Sequence, residues 1–160
     1  MSIHEILNNL GHYLTVLAVS MAPVIELKGA MPVGLAAGLG VWETFAAALL
    51  GSCLPAPIVM LVIKRFLNWA DTCKIGFLQK FAQFLHRKIE KGKSNKTFQT
   101  SVLLGLFIFV AIPLPTTGVW TGSMIAGTLD LPMRKALPVI VLGNTIAGLI
   151  ILGASHLLIL

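Results

Sequence analysis

The feature that most constrains this chain is a run of 33 residues, 97–129, without a charged side chain, broken in its middle by Ile112-Pro113-Leu114-Pro115. Prolines there remove backbone donors and interrupt a helix. Each limb of about 13 residues is about 20 Å long as helix, short of the roughly 30 Å hydrocarbon core of a bilayer. The run is too long for one ordinary crossing and its limbs are too short for two, so it reads as a re-entrant helical hairpin. Charge supplies a separate test. A single crossing would set Arg134 and Lys135 on the side opposite the basic cluster 64–96, whereas a hairpin sets both groups on one side.

Two further uncharged runs, 44–63 and 136–160, reach the length of about 18 residues expected of a membrane span. Only 11% of the chain is charged and its mean hydropathy is +0.89, against about 25% charged residues in soluble domains. An all-α integral membrane protein is the expectation. Nine of the twelve Lys and Arg residues fall between Lys64 and Lys96, beside only Asp71 and Glu90. In a membrane protein such clustering marks the cytoplasmic side. No nucleic-acid recognition motif accompanies it, which argues against a nucleic-acid partner. Within the cluster, Leu78, Phe81, Leu85 and Ile89 keep helical spacing while Lys80, Arg87 and Lys91 take another face. That amphipathic helix can lie on membrane lipids or against the protein's own helices.

The N-terminal region follows the same plan, with apolar limbs 13–25 and 30–41 flanking Glu26-Leu27-Lys28-Gly29. Its outer flanks carry Glu5 and Glu43 and no basic residue, so this hairpin is expected to enter from outside. Residues 43–63 then cross inward and 134–157 cross outward, which leaves 64–98 and 130–135 cytoplasmic and both termini outside. Met1–Glu5 lacks the basic start of a cleavable signal, so Met1 is expected to remain. Cys53 and Cys73 fall at different depths and make no disulfide framework.

The two halves also resemble each other. Gly29-Ala-Met-Pro-Val-Gly34 matches Gly122-Ser-Met-Ile-Ala-Gly127 at an offset of 93, and Leu50-Gly-Ser-Cys-Leu-Pro-Ala-Pro-Ile58 matches Leu142-Gly-Asn-Thr-Ile-Ala-Gly-Leu-Ile150 at 92. In one order and with opposite expected orientation, they point to two inverted repeats, an architecture that many secondary transporters use to build a midplane site. One membrane domain, 1–160, is expected to hold repeat 1 (12–65), a basic cytoplasmic connector (66–98) and repeat 2 (99–158).

Glu26 and Lys28 are the ionisable residues placed deep in the membrane. Each costs at least about 2.5 kcal/mol on insertion scales, which makes both candidates for function. Lys28 suits an anionic group beside broken helix ends, and Glu26 a proton or cation; a local ion pair is the structural alternative. In the second tip, Thr116, Thr117, Thr121 and Ser123 can cradle a substrate or cap the broken helix, with Trp120 adding an indole. Gly118 and Gly122, like Gly34 and Gly38, have the spacing of close helix packing. Asn144 is placed to bond across to a hairpin. His4, His12, His86 and His156 show no metal-ligand spacing, and no hydrolase or phosphate-loop pattern occurs. No enzyme activity, metal or cofactor is therefore expected.

Pro23-Val-Ile-Glu-Leu-Lys-Gly-Ala-Met-Pro-Val-Gly34 and Pro113-Leu-Pro-Thr-Thr-Gly-Val-Trp-Thr-Gly122 together resemble the small multidrug export family of prokaryotic membrane proteins, over nearly the whole chain. More distantly, paired re-entrant loops with an acidic residue look like the DedA-type superfamily. That likeness implies a lipid-phosphate cargo such as undecaprenyl phosphate, and of its residues only Glu26 carries over, because the second hairpin lacks an Arg. The expected site comprises Glu26, Lys28, Gly29, Pro32, Pro113, Pro115, Thr116, Thr117, Trp120, Thr121, Gly122, Ser123 and Asn144. Expected functions are a transporter of an amphipathic or anionic substrate in the inner membrane, a lipid-phosphate flippase, or a non-transporting scaffold. So small a protomer is expected to form a two-fold homodimer.

Overall fold

The computed structural model describes residues 3–72, 96–114 and 117–159. The stripe from Leu78 to Ile89, together with Pro115 and Thr116, lies outside the described residues. All regular structure among the described residues is helical: α1 (Ile3–Met21), α2 (Glu26–Ala36), α3 (Val41–Cys53), α4 (Pro55–Thr72), α5 (Lys96–Ala111), α6 (Val119–Thr128) and α7 (Met133–Ile159).

Two of these helical runs are long and apolar enough to cross a membrane, Val41–Trp69 and Met133–Ala154, where crossings 43–63 and 134–157 were expected. The first joins α3 to α4. Leu54 keeps α-helical dihedrals and its N–H still reaches Leu50 O at 3.1 Å. Pro55 then opens α4, a position where the missing N–H costs little. Pro55-Ala56-Pro57 thus leaves the helical run unbroken, whereas the chain leaves the helix after Ala111, ahead of Pro113.

Each long run is preceded by a helix, a break and a shorter helix: α1, residues 22–25 and α2, then α5, a break that includes residues 112–114 and 117–118, and α6. The first break differs from the sequence expectation. It falls before the charges, and Glu26-Leu27-Lys28-Gly29 forms the first turn of α2. Glu, Leu and Lys are good helix formers, while Pro23 lacks an N–H and disfavours helix at the residue before it. Val24 and Glu26 take left-handed φ of 79° and 49° to complete the turn.

Both second limbs end in the same way. Gly38 (φ 80°) follows α2, with its N–H on Leu35 O and that of Leu39 on Gly34 O, at 3.0 and 3.1 Å. Asp130 (φ 50°) follows α6, with its N–H on Gly127 O and that of Leu131 on Ala126 O, at 3.1 and 3.0 Å. This paired bonding around a left-handed residue closes a helix C-terminus. The role of Gly38 is therefore a cap and not close helix packing, since a Cβ there would meet nothing.

Apolar side chains gather into two cores. Val16, Leu27, Ala30, Met31, Leu39, Phe45 and Ala48 join α1 to α3, while Ala56, Met60, Leu106, Val110, Val119, Ala126, Leu131, Ala136 and Ile140 join α4 to α7. Helix α1 packs on α3 and α2, α4 packs on α6, and α5 packs on α7. Gly51 lets α3 approach the Leu17 carbonyl of α1, and Gly143 lets α7 approach the Phe107 carbonyl of α5. Outside the cores, Trp42, Leu50, Ile58, Leu104 and Leu142 are each more than half exposed. Large apolar surface left this open is suited to hydrocarbon rather than water.

Candidate functional site

The two breaks meet, and each supplies what the other's broken backbone lacks. At the start of α6 the first N–H groups have no partner within their own helix, and Gly118 provides no side-chain cap. The buried Glu26 carboxylate, carried by α2, fills that place: its Oε1 accepts from Trp120 N at 2.9 Å. A negative charge is favoured at this end by the helix dipole. Gly118 makes the approach possible, because a Cβ on it would overlap the carboxylate. The reading of Gly118 as a helix-packing residue is thus replaced; its missing side chain makes room for Glu26.

The reverse contacts run from second limbs to carbonyls at the end of α1 and in the second break. Trp120 Nε1 donates to Met21 O, the end of α1, at 3.0 Å. Lys28 Nζ donates to Leu114 O and Thr117 O in the break after α5. Thr117 also staples its own loop, donating from Oγ1 to Ile112 O at 2.6 Å. A carboxylate, an ammonium and an indole therefore tie broken ends together across the two halves.

A second polar contact lies deeper. Asn144 of α7 is wholly buried, and its Nδ2 donates to Ser52 Oγ at 2.7 Å. Ser52 donates onward to Leu49 O at 3.1 Å. Ser52 and Asn144 are equivalents at the 92-residue offset, so this bond joins a position to its own counterpart. The sequence comparison aligned the two residues without indicating that they touch.

Of the expected site residues, Glu26, Lys28, Thr117 and Trp120 come together directly, and Asn144 pairs with Ser52. Ser123 is buried on α6. Gly122 packs against Val110, and Gly29 lies within the α2 turn against Ile25. Pro113 is exposed in the second break, Pro32 is exposed on α2 and Thr121 is half-buried on α6. Pro115 and Thr116 fall outside the described residues. Sequence reasoning passed over the carbonyls of Met21 and Leu114, since backbone acceptors carry no residue signature.

The family model described as "Putative small multi-drug export protein" matches residues 26–150. The chain belongs to this family. No curated protein and no solved structure matches it. In this member of the small multi-drug export family, the matched segment begins at Glu26, just after the first break, and takes in the second break, Val41–Trp69, Asn144 and most of Met133–Ala154. Family membership and the two long apolar helices together make it a membrane protein.

Proposed function

We propose that this protein is a small membrane transporter whose cargo passes a midplane gate formed by two re-entrant hairpins, coupled to protons through Glu26. The carrying observation is that Glu26 caps the broken helix of the other half. Protonating a carboxylate removes the charge from that bond, and charge-assisted bonds are about twice as strong as neutral ones. Proton uptake at Glu26 would thereby loosen the tips.

An inverted repeat is supported by equivalent positions in equivalent roles. Gly51 and Gly143 admit a carbonyl, Gly38 and Asp130 close second limbs, and Ser52 bonds Asn144. Glu43 accepts from Tyr13 at 2.6 Å, while its counterpart Lys135 donates to Gln99 at 3.4 Å. One position thus ties a long helix to a first limb in both halves with opposite charge, as opposite sides of a membrane would require. Asn144 lies at the middle of Met133–Ala154, and Ser52 near the middle of Val41–Trp69, which supports a midplane level for the seam. On this reading the basic connector faces the cytoplasm, both termini lie outside the inner membrane, and a second copy completes the pathway.

Because Lys28 is already held by two carbonyls, the geometry favours proton or cation chemistry at Glu26 over capture of an anion by Lys28. Proteoliposomes carrying the purified chain decide between cargoes by efflux of a cationic dye against flipping of a labelled lipid phosphate. The dye is expected to move, and Glu26→Gln to abolish its movement. Normal efflux by Glu26→Gln removes the proposed role; activity in neither assay favours a scaffold.

A further inference from the structure

We infer that the exposed side of the two breaks is an interface with a second copy of this chain, packed across a two-fold axis so that each copy covers the broken backbone of the other. The inference rests on the two-hairpin membrane reading and names the partner that the tips require.

The two breaks form one surface. Trp120 Nε1 on Met21 O and Lys28 Nζ on Leu114 O join them, and both bonds lie at the exposed side of the chain. Around them stand Met21, Val24, Ile25, Ile112 and Leu114, each more than a third exposed, with Val24 at 75%. From these tips the second limbs α2 and α6 run 11 and 10 residues, about 15 Å as helix, or half of a roughly 30 Å hydrocarbon core. At that depth the surface suits neither solvent. Its side chains are too apolar to line a water-filled cavity. Its backbone is too polar for lipid, since non-helical backbone within a bilayer must be covered by protein or water. A protein surface satisfies both.

The first break shows what that surface must supply. Its backbone bonds join Ala22 N to Val19 O, Glu26 N to Ala22 O and Gly29 N to Ile25 O, and among the described residues Val24 takes part in none. Val24 also has φ 79°, where a β-branched residue is strained and glycine is not. With so little of it covered by its own chain, the valine side chain points to a contact outside that chain. Lys28 has three N–H donors and spends two on Leu114 O and Thr117 O. The patch thus carries a spare donor on Lys28 and an unpaired acceptor, Val24 O, four residues before it. Such a patch is self-complementary in charge, as an interface between identical surfaces requires. Residues 73–95 of the same chain are the wrong occupant, because Lys74, Lys80, Arg87, Lys88, Lys91 and Lys93 would enter the hydrocarbon with them.

The test uses the full chain in liposomes, with Cys53→Ser and Cys73→Ser removing the native thiols. Val24→Cys is expected to form disulfide-linked dimers on mild oxidation, with itself or with Leu114→Cys, while Leu142→Cys, as exposed but on the unbroken α7, stays unlinked. Equal linkage at all three positions marks chance collision and overturns the inference. So does a Val24→Cys chain that stays unlinked, whether a membrane-impermeant maleimide labels it, which marks a water-filled path, or leaves it unlabelled, which marks lipid. Val24→Gly separates interface from fold. Relief of the left-handed strain is expected to leave the melting temperature in dilute detergent unchanged or raised. Dimerisation, read by energy transfer between labelled copies diluted into liposomes, is expected to weaken about tenfold, because two equivalent contacts are lost together. Dimerisation unchanged in Val24→Gly overturns the inference; should that variant fail to fold, the linkage pattern decides. Dye transport by chains that never link removes the interface and leaves the transporter reading. Linked dimers that move neither dye nor lipid uphold the interface and remove the transporter reading.

Discussion

Gly118→Ala tests the cross-brace most directly. A Cβ at this position would lie 2.5 Å from Glu26 Cδ and 2.7 Å from Oε1, closer than real contacts allow, so the carboxylate must withdraw. Its bond to Trp120 N, 2.9 Å in the native arrangement, is then lost. A bond to a charged group contributes about 1.5–3 kcal/mol, and at about 2 kcal/mol the first turn of α6 opens roughly 30-fold more often. Amide hydrogen exchange of Trp120 in nanodiscs reads this opening directly. The expected result is exchange roughly 30-fold faster in Gly118→Ala, by the same conversion. Glu26→Gln, which keeps an acceptor and loses the charge, is expected to lie between variant and wild type. In a Glu26→Ala background, Gly118→Ala should add little, because residues in contact are not additive. If Gly118→Ala speeds exchange equally with and without Glu26, the glycine acts through its own backbone and the cross-brace is refuted.

Three further outcomes follow from the same geometry. Lys28→Met leaves the Leu114 and Thr117 carbonyls without their ammonium and should lower stability by about 1.5–3 kcal/mol, measured by unfolding in mixed micelles. Lys64 Nζ meets Asp130 Oδ1 at 3.1 Å and Leu131 O at 2.8 Å, with Asp130 nearly half exposed. Asp130→Asn should therefore cost under about 1 kcal/mol and respond to salt, while Lys64→Met, which also loses the carbonyl, should cost more in the same unfolding assay. Gly51→Ala and Gly143→Ala each push a methyl at a helix carbonyl and should lower stability by about 1–3 kcal/mol, Gly51→Ala the more because it also meets Ser20. A melting temperature unchanged in both would count against close helix approach at these glycines.

The membrane class, the two long apolar helices and the existence of two broken segments were legible in the sequence. They follow from run length, charge spacing and proline chemistry, which are local and act whatever the chain packs against. The same local physics set the true first break at Pro23, although the nearby charges of Glu26 and Lys28 draw the eye instead. What only the tertiary structure decided is who satisfies whom. Glu26 and Trp120 lie 94 residues apart, and no spacing rule predicts that a carboxylate from one half will cap a helix in the other. Lys28 illustrates the difference: its sequence position marks a buried charge, but its partners are backbone carbonyls, which every residue has and which only folding selects. Hydrophobic pattern determines that a helix must break inside an apolar run. Which groups complete the exposed backbone at that break depends on packing between the two cores, and that is a property of the assembled halves.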